Sequence, residues 1–206
     1  MNFEEAFYAA EEEALGFLVR DHGFRALERM ASEEDGFAYT TYVQNLPPEP
    51  ANTYPRYVTL TMEPLRPALD LSIANEPGDT YTVAELYRLV RDLPMVPFEH
   101  NLSDEMHDPA QMAAEFTRLA DVLRQCGARF FGGDHTLWAD LHALRVALAH
   151  EQQDQRALAA ADTAFHAHDW HQVAELLRPM EGRLHHAEAA KLAHAEKRLR
   201  EEARRA

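Results

Sequence analysis

The chain holds one cysteine, Cys126, so it can form no internal disulfide, and no disulfide framework stands in for a hydrophobic core. Cys126 ends the run Leu123-Arg124-Gln125-Cys126-Gly127, which has the look of a last helical turn. With no paired base or second cysteine nearby in sequence, it reads as a small buried side chain. Lysine is scarce too: of 20 basic residues only Lys191 and Lys197 are lysine, and together with abundant alanine this arginine bias suggests a GC-rich bacterial genome. No apolar run reaches the roughly 18 to 20 residues that span a bilayer. The opening Met1-Asn2-Phe3-Glu4-Glu5 is acidic where a secretory signal carries positive charge. A protein without a membrane partner, in a reducing compartment, is expected, with the cytoplasm as its location.

Positive charge is in short supply as well. The formal net charge is −15, and the final stretch, residues 183–206, is the basic one, with seven Lys/Arg against four Asp/Glu. Binding to a nucleic-acid backbone depends on clustered cations that release counterions, so nucleic acid is excluded as a partner. An acidic body instead favours a basic protein partner. The signatures of common chemistries are missing too: no Gly-x-Ser-x-Gly elbow, Cys-x-x-Cys pair, phosphate loop or dinucleotide fingerprint occurs. No cofactor is implied.

What the chain does have is a globular composition, 46% hydrophobic and 27% charged over 206 residues, enough for a sizeable core. Phe3, Phe7, Ala10, Ala14, Leu15 and Leu18 recur at helical spacing, with glutamates between them, and predict an amphipathic helix to about Arg20 that Gly23 ends. A short segment from Phe24 then gives way at Glu33 to Gly36 to three expected strands, 37–44, 56–63 and 68–74. Leu69, Leu71 and Ile73 alternate with Asp70 and Ser72, as in a sheet with one dry face and one wet one. A small antiparallel meander is the simplest arrangement. Thr82-Val83-Ala84-Glu85 is a capping-box pattern that starts a short helix, and Asp108-Pro109 starts another that runs to Gln125. Residues 129–134 read as a turn, with Asp134 capping the next helix.

From about Gln155 the pattern is a helical hairpin. Leu158, Ala161 and Phe165 precede His168-Asp169-Trp170, and Val173, Leu176 and Leu177 follow it. This stretch of about 25 residues resembles one tetratricopeptide-type helix–turn–helix, and since no second copy follows, it implies a hairpin and not a solenoid. A last helix is expected over about 181–204. The fold class is therefore α+β: an N-terminal helix and a small antiparallel sheet packed with helices, then a helical C-terminal half. The expected division is 1–127 and 128–206, or one continuous unit.

Three surfaces invite a functional reading. Tyr39, Tyr42, Tyr54 and Tyr57, with the Pro-rich segment around Pro47, Pro48, Pro50 and Pro55, could give the sheet an aromatic, partly exposed binding face. Glu99, His100, Asp104, Glu105, His107 and Asp108 form the densest acid and histidine run, with Glu99 and Asp104 as candidate binding residues and His100 and His107 as candidate metal ligands or general bases. His135 and His142, seven apart on one helix, are a second candidate metal pair among the 12 histidines. Each cluster also has a plain reading, that polar side chains in loops and on helix surfaces face water.

The order of elements, an acidic helix leading through Leu18 to Phe24 into a meander and then helices, is similar to that of uncharacterised bacterial proteins of the toxin-immunity kind. The resemblance implies a stoichiometric inhibitor that binds a toxin domain through an acidic patch, and it assigns no residue a role. A metal-dependent enzyme and a helical scaffold or oligomerisation module are the alternatives. The sequence leaves the oligomeric state open.

Overall fold

The computed structural model describes residues 2–32, 34, 37–44, 55–63, 68–75, 79–91 and 109–205, with the backbone alone at Glu63, Ala68 and Pro109. The α+β class is as expected. The elements are α1 (Phe3–His22), β1 (Arg25–Ser32), β2 (Phe37–Gln44), β3 (Arg56–Glu63), β4 (Ala68–Ala74), β5 (Thr80–Thr82), α2 (Val83–Arg91), α3 (Pro109–Cys126), α4 (Ala128–Gly132), α5 (Thr136–His166), α6 (Trp170–Leu177) and α7 (His186–Ala203). They form two compact units, Met1–His142 and Ala143–Ala206.

In the first unit, α1 begins at a reciprocal cap. Asn2 Oδ1 accepts from Glu5 N–H at 2.8 Å, and the Glu5 carboxylate accepts from Asn2 N–H at 3.2 Å. The helix stops at Gly23, whose φ of 67° suits a residue without a Cβ. Every apolar position singled out in its stripe is buried. Phe7 meets Phe116 of α3 edge to face at 5.3 Å, a geometry that adds about 1 kcal/mol to the area both rings bury.

The sheet is an antiparallel meander in the order β1-β2-β3-β4-β5. Side chains alternate along each strand, so Ala38, Thr40 and Tyr42, Val58, Leu60 and Met62, and Leu69, Leu71 and Ile73 fill one face and join the core with α1, α2 and α3. Two strands and a helix go beyond the sequence-based expectation. β1 is an exposed edge strand, most of whose residues face water, so it lacks the apolar alternation by which a strand is recognised. β5 is three residues long. The segment expected as a turn at 129–134 contains α4, capped by Gly133 at φ 75°.

Two long-range polar contacts fasten the elements. Arg56 of β3, 6% exposed, donates to the carbonyls of Phe130 and, at 2.8 Å, Phe131 at the end of α4, and its guanidinium lies 5.8 Å from the Phe130 ring. Gln44 donates to the His22 carbonyl at the end of α1. Both supply donors to carbonyls that a helix C-terminus leaves without intrahelical partners. The Thr82 and Glu85 capping box of α2 forms as expected, with Glu85 accepting from Thr82 N–H at 2.8 Å and Thr82 Oγ1 from Glu85 N–H at 3.1 Å.

The second unit packs the later part of α5 with α6 and α7. Ala161, Ala164, Val173, Ala174, Leu177, Leu192 and Ala195 are its buried residues, with Leu158, Phe165, Trp170 and Leu199 against them. Asp169 caps α6 by accepting from Gln172 N–H at 3.0 Å, so the expected hairpin is present. Its first arm is longer than expected. Thr136–His166 is one 31-residue helix, since nothing in 148–156 breaks it. A 3-10 turn, Arg178–Arg183, precedes α7, which begins five residues later than expected. The expected division at 127 and 128 shifts to follow His142, because Phe130, Leu137 and Leu141 pack into the first core.

Candidate functional site

The face of the sheet opposite the core is a grid that the strand register lays out. Its central row is Glu28, Thr41, Thr59, Ser72 and Thr82, one residue from each strand in order. Thr41 and Thr59 hydroxyls lie 3.2 Å apart, and the Ser72 hydroxyl donates to the Thr59 carbonyl at 3.3 Å. The next row is Met30, Tyr39, Thr61 and Asp70, beyond which Ser32 pairs with Phe37. On the other side of the centre lie Arg25, Val43, Tyr57, Ala74 and Thr80. Among the described residues, the helices that contribute to the core pack on the other face.

Exposure differs along the grid. Met30 is 46% exposed, Glu28 and Asp70 face solvent, and Phe37, Tyr39, Tyr57, Thr41, Thr59 and Thr61 are half-buried, while Val43, Ser72 and Ala74 are buried. The Phe37 and Tyr39 rings lie 5.6 Å apart. Tyr39 donates its phenolic proton to the Glu28 carboxylate, and that hydrogen bond and the negative charge push the phenol above its ordinary pKa. The β-bulge at Leu27, between Ala26 and Glu28, puts Glu28, not Leu27, on this face, and Leu27 is 51% exposed at the bulge.

Of the four tyrosines expected on a binding face, Tyr39 and Tyr57 are on the outer face. They stand four residues apart in register, since Tyr39 pairs with Thr61 and Tyr57 with Val43. Tyr42 is corrected: it is 1% exposed and packs in the core, because a residue three positions from Tyr39 on a strand points to the opposite face. Tyr54, Glu99, His100, Asp104 and His107 lie outside the described residues. Glu28, Met30, Phe37 and Asp70 are neighbours of Tyr39 that the sequence reading does not name, although the parity of β2 and the wet positions of β4 already align two of them, Phe37 and Asp70.

The histidine pair does not converge on a site. His135 sits in the turn before α5 and His142 two turns along the helix, both exposed. Neighbouring Asp134 is committed elsewhere: it accepts from Thr136 N–H at 2.9 Å, from the Thr136 hydroxyl at 2.6 Å and from Arg129 Nε at 2.7 Å. These bonds, those from Thr136 foremost, hold its carboxyl down at about 2. Arg129 also reaches Asp140 at 2.7 Å, so the cluster ties α4 to the start of α5. Among the described residues no group of three or more His, Cys, Asp and Glu side chains is placed to hold a metal ion. Cys126 is buried, and burial pushes its thiol up, away from the reactive thiolate.

A second buried ionisable group lies under the sheet. Glu11 of α1 is fully buried, and its nearest charge is Arg29 of β1, 3.2 Å away. Burial pushes its carboxyl up to about 7 against the lowering effect of Arg29. Arg29 also lies 5.8 Å from the Tyr8 ring. These groups face the core and fasten α1 to the edge strand.

The geometry defines an α+β protein whose first unit carries, among the described residues, a hydroxyl- and aromatic-lined outer sheet face with Glu28 and Asp70 exposed on it and with Val43, Ser72 and Ala74 buried. Compared with protein-family models, with curated proteins and with solved structures, the chain matches none. No helix among the described residues is long and apolar enough to cross a membrane.

Proposed function

We propose that the protein is a non-enzymatic, acidic protein-binding protein whose first unit docks a basic protein partner, in the manner of a stoichiometric, immunity-like inhibitor. The observation that supports this is where the charge lies. Residues 1–142 carry 25 Asp/Glu against 10 Lys/Arg, whereas residues 143–206 carry ten of each, so the net −15 of the chain belongs entirely to the first unit. In the second unit opposite charges pair with one another: Lys191 with Asp162 at 2.6 Å, Arg183 with Asp154, and Arg178 and Arg200 with Glu196 at 3.1 and 3.3 Å. A unit with surplus carboxylates attracts a basic surface over a distance and selects against acidic ones, which raises encounter rates more than final affinity. We place the protein in the cytoplasm, where a lone buried thiol stays reduced.

The test is affinity capture from the source cell with the full-length chain as bait, followed by titration calorimetry with the captured protein. A basic protein binding at one to one supports the reading. Capture of acidic proteins alone, or turnover of a small molecule by the purified chain, overturns it.

A further inference from the structure

We propose that the basic partner docks on the outer face of the sheet, centred on the row Met30, Tyr39, Thr61 and Asp70, with its Lys or Arg side chains lying over the Tyr39 and Phe37 rings and beside the Glu28 carboxylate. This rests on the reading above, that the chain binds a basic protein, and adds the place and the contacts.

Four observations place the partner there. First, the face is complementary in charge: its described positions on β2 to β5 hold Asp70 and no Lys or Arg, β1 adds Glu28, and the one base, Arg25, stands opposite Val43 at the far end. Second, it offers half-exposed rings beside those acids, with Phe37 and Tyr39 5.6 Å apart and the Tyr39 phenol tied to Glu28. A cation above a ring and next to a carboxylate gains from both, and more so once the contact excludes water. Third, Met30, 46% exposed, extends the patch onto the edge strand, so apolar area is available for burial where the rings are. Fourth, the core-facing side of the same strands is filled by α1, α2 and α3, and among the described residues those helices leave the outer side to the grid.

A second copy of the chain is a poor occupant, because two first units of net −15 repel each other. Addition of a strand to the β1 edge is disfavoured by the bulge at Leu27 and by the charges of Arg25, Glu28 and Arg29, the devices that keep edge strands from pairing. The exposed glutamates of α1, Glu4, Glu5, Glu12 and Glu13, have half-buried Tyr8 among them, but Arg29 already lies 5.8 Å from that ring and would repel a second cation there.

The experiment uses the full-length chain labelled for backbone and methyl NMR, titrated with an octa-arginine peptide at low and moderate salt and with octa-glutamate as the control. The expected result is shifts at Met30, Tyr39, Thr41, Thr61 and Asp70 with octa-arginine, and none with octa-glutamate. Thr61→Lys, which adds a cation within the row without removing a packed ring, weakens binding about tenfold or more, and Tyr39→Ser does the same provided its circular dichroism matches the parent. Glu12→Gln with Glu13→Gln leaves affinity within about twofold. Shifts confined to Glu4, Glu5, Glu12 and Glu13, or insensitivity to Thr61→Lys, overturn the outer face as the docking site while leaving an acidic binding protein. Absence of binding anywhere on the chain at low salt overturns that underlying reading as well.

Discussion

The Glu11 carboxylate and the Arg29 guanidinium form an ion pair of 3.2 Å in which one partner is fully buried and the other 40% exposed. Neither Glu11 oxygen has a well-aligned hydrogen bond, and the hydroxyl of Thr40, the cross-strand partner of Arg29, is buried without a partner as well. The pair therefore joins α1 to the edge strand without satisfying the carboxylate, and it gives the first unit one pH-dependent contribution to its stability.

Glu11 titrates at about 7 in the folded chain against an ordinary 4.5, with burial the main cause. The folded state thus binds the proton more tightly than the unfolded one. Its contribution to stability is full below about pH 4.5 and is lost as pH rises through about 7. The loss is roughly 3 kcal/mol, from about 1.4 kcal/mol per pKa unit. Urea unfolding at pH 4.5 and pH 8 measures it: Glu11→Gln flattens the difference relative to the parent, and Arg29→Met steepens it by removing the one nearby positive charge. A Glu11→Gln protein with the parent's pH slope contradicts this account of the pair.

Arg56 is the buried link between β3 and α4. Burial lowers the pKa of its guanidinium, which still serves two carbonyls and a ring face. Arg56→Ala removes the side-chain donor to the Phe131 carbonyl and one of the two donors to the Phe130 carbonyl, which keeps Gly133 N–H at 3.2 Å, and costs about 2 kcal/mol in chemical denaturation. Arg56→Lys recovers less than half, because both bonds leave the one nitrogen Nη1 and a lysine ammonium ends a bond short of that position. Full recovery by lysine contradicts the role given to Nη1.

In the second unit, His168 sits at φ 59°, the left-handed region, immediately before the Asp169 cap. A Cβ in that conformation costs about 1 kcal/mol. His168→Gly is accordingly more stable than His168→Ala by about that amount, a comparison in which both variants lose the ring 5.2 Å from Trp170. Thermal melts of the two variants measure it, and equal midpoints show that the turn carries no strain.

The fold was legible where burial imposes a period. The stripe of α1, the three central strands, the Thr82 and Glu85 cap and the Asp169 cap all follow from residue spacing, because the same residues that face the core have to recur at 2 or 3.6. β1 was not legible, since an exposed edge strand such as Arg25-Ala26-Leu27-Glu28-Arg29 has no dry face to impose alternation. Residues 148–156 read as a gap between helices because they are mostly polar, yet a helix of this length needs no apolar stripe where its surface faces water.

The candidate site was legible in part, and for a definite reason. Residue type marked Tyr39 and Tyr57, but only strand parity separates them from Tyr42, and only the register of four strands brings Met30, Tyr39, Thr61 and Asp70 into one row. The segregation of charge was hidden by the place where the chain divides. Counted to residue 127 or to residue 142 the first part is acidic, but the exact balance of ten and ten emerges once α4 and the first turns of α5 are assigned to the first unit.

The central claim, that the surplus carboxylates of the first unit steer a basic protein onto the chain, is tested most directly by the association rate of the full-length protein with its captured partner as a function of salt. The account predicts a fall of about tenfold or more between 20 mM and 500 mM sodium chloride, with the dissociation rate changing much less. An association rate that does not vary over that range contradicts it.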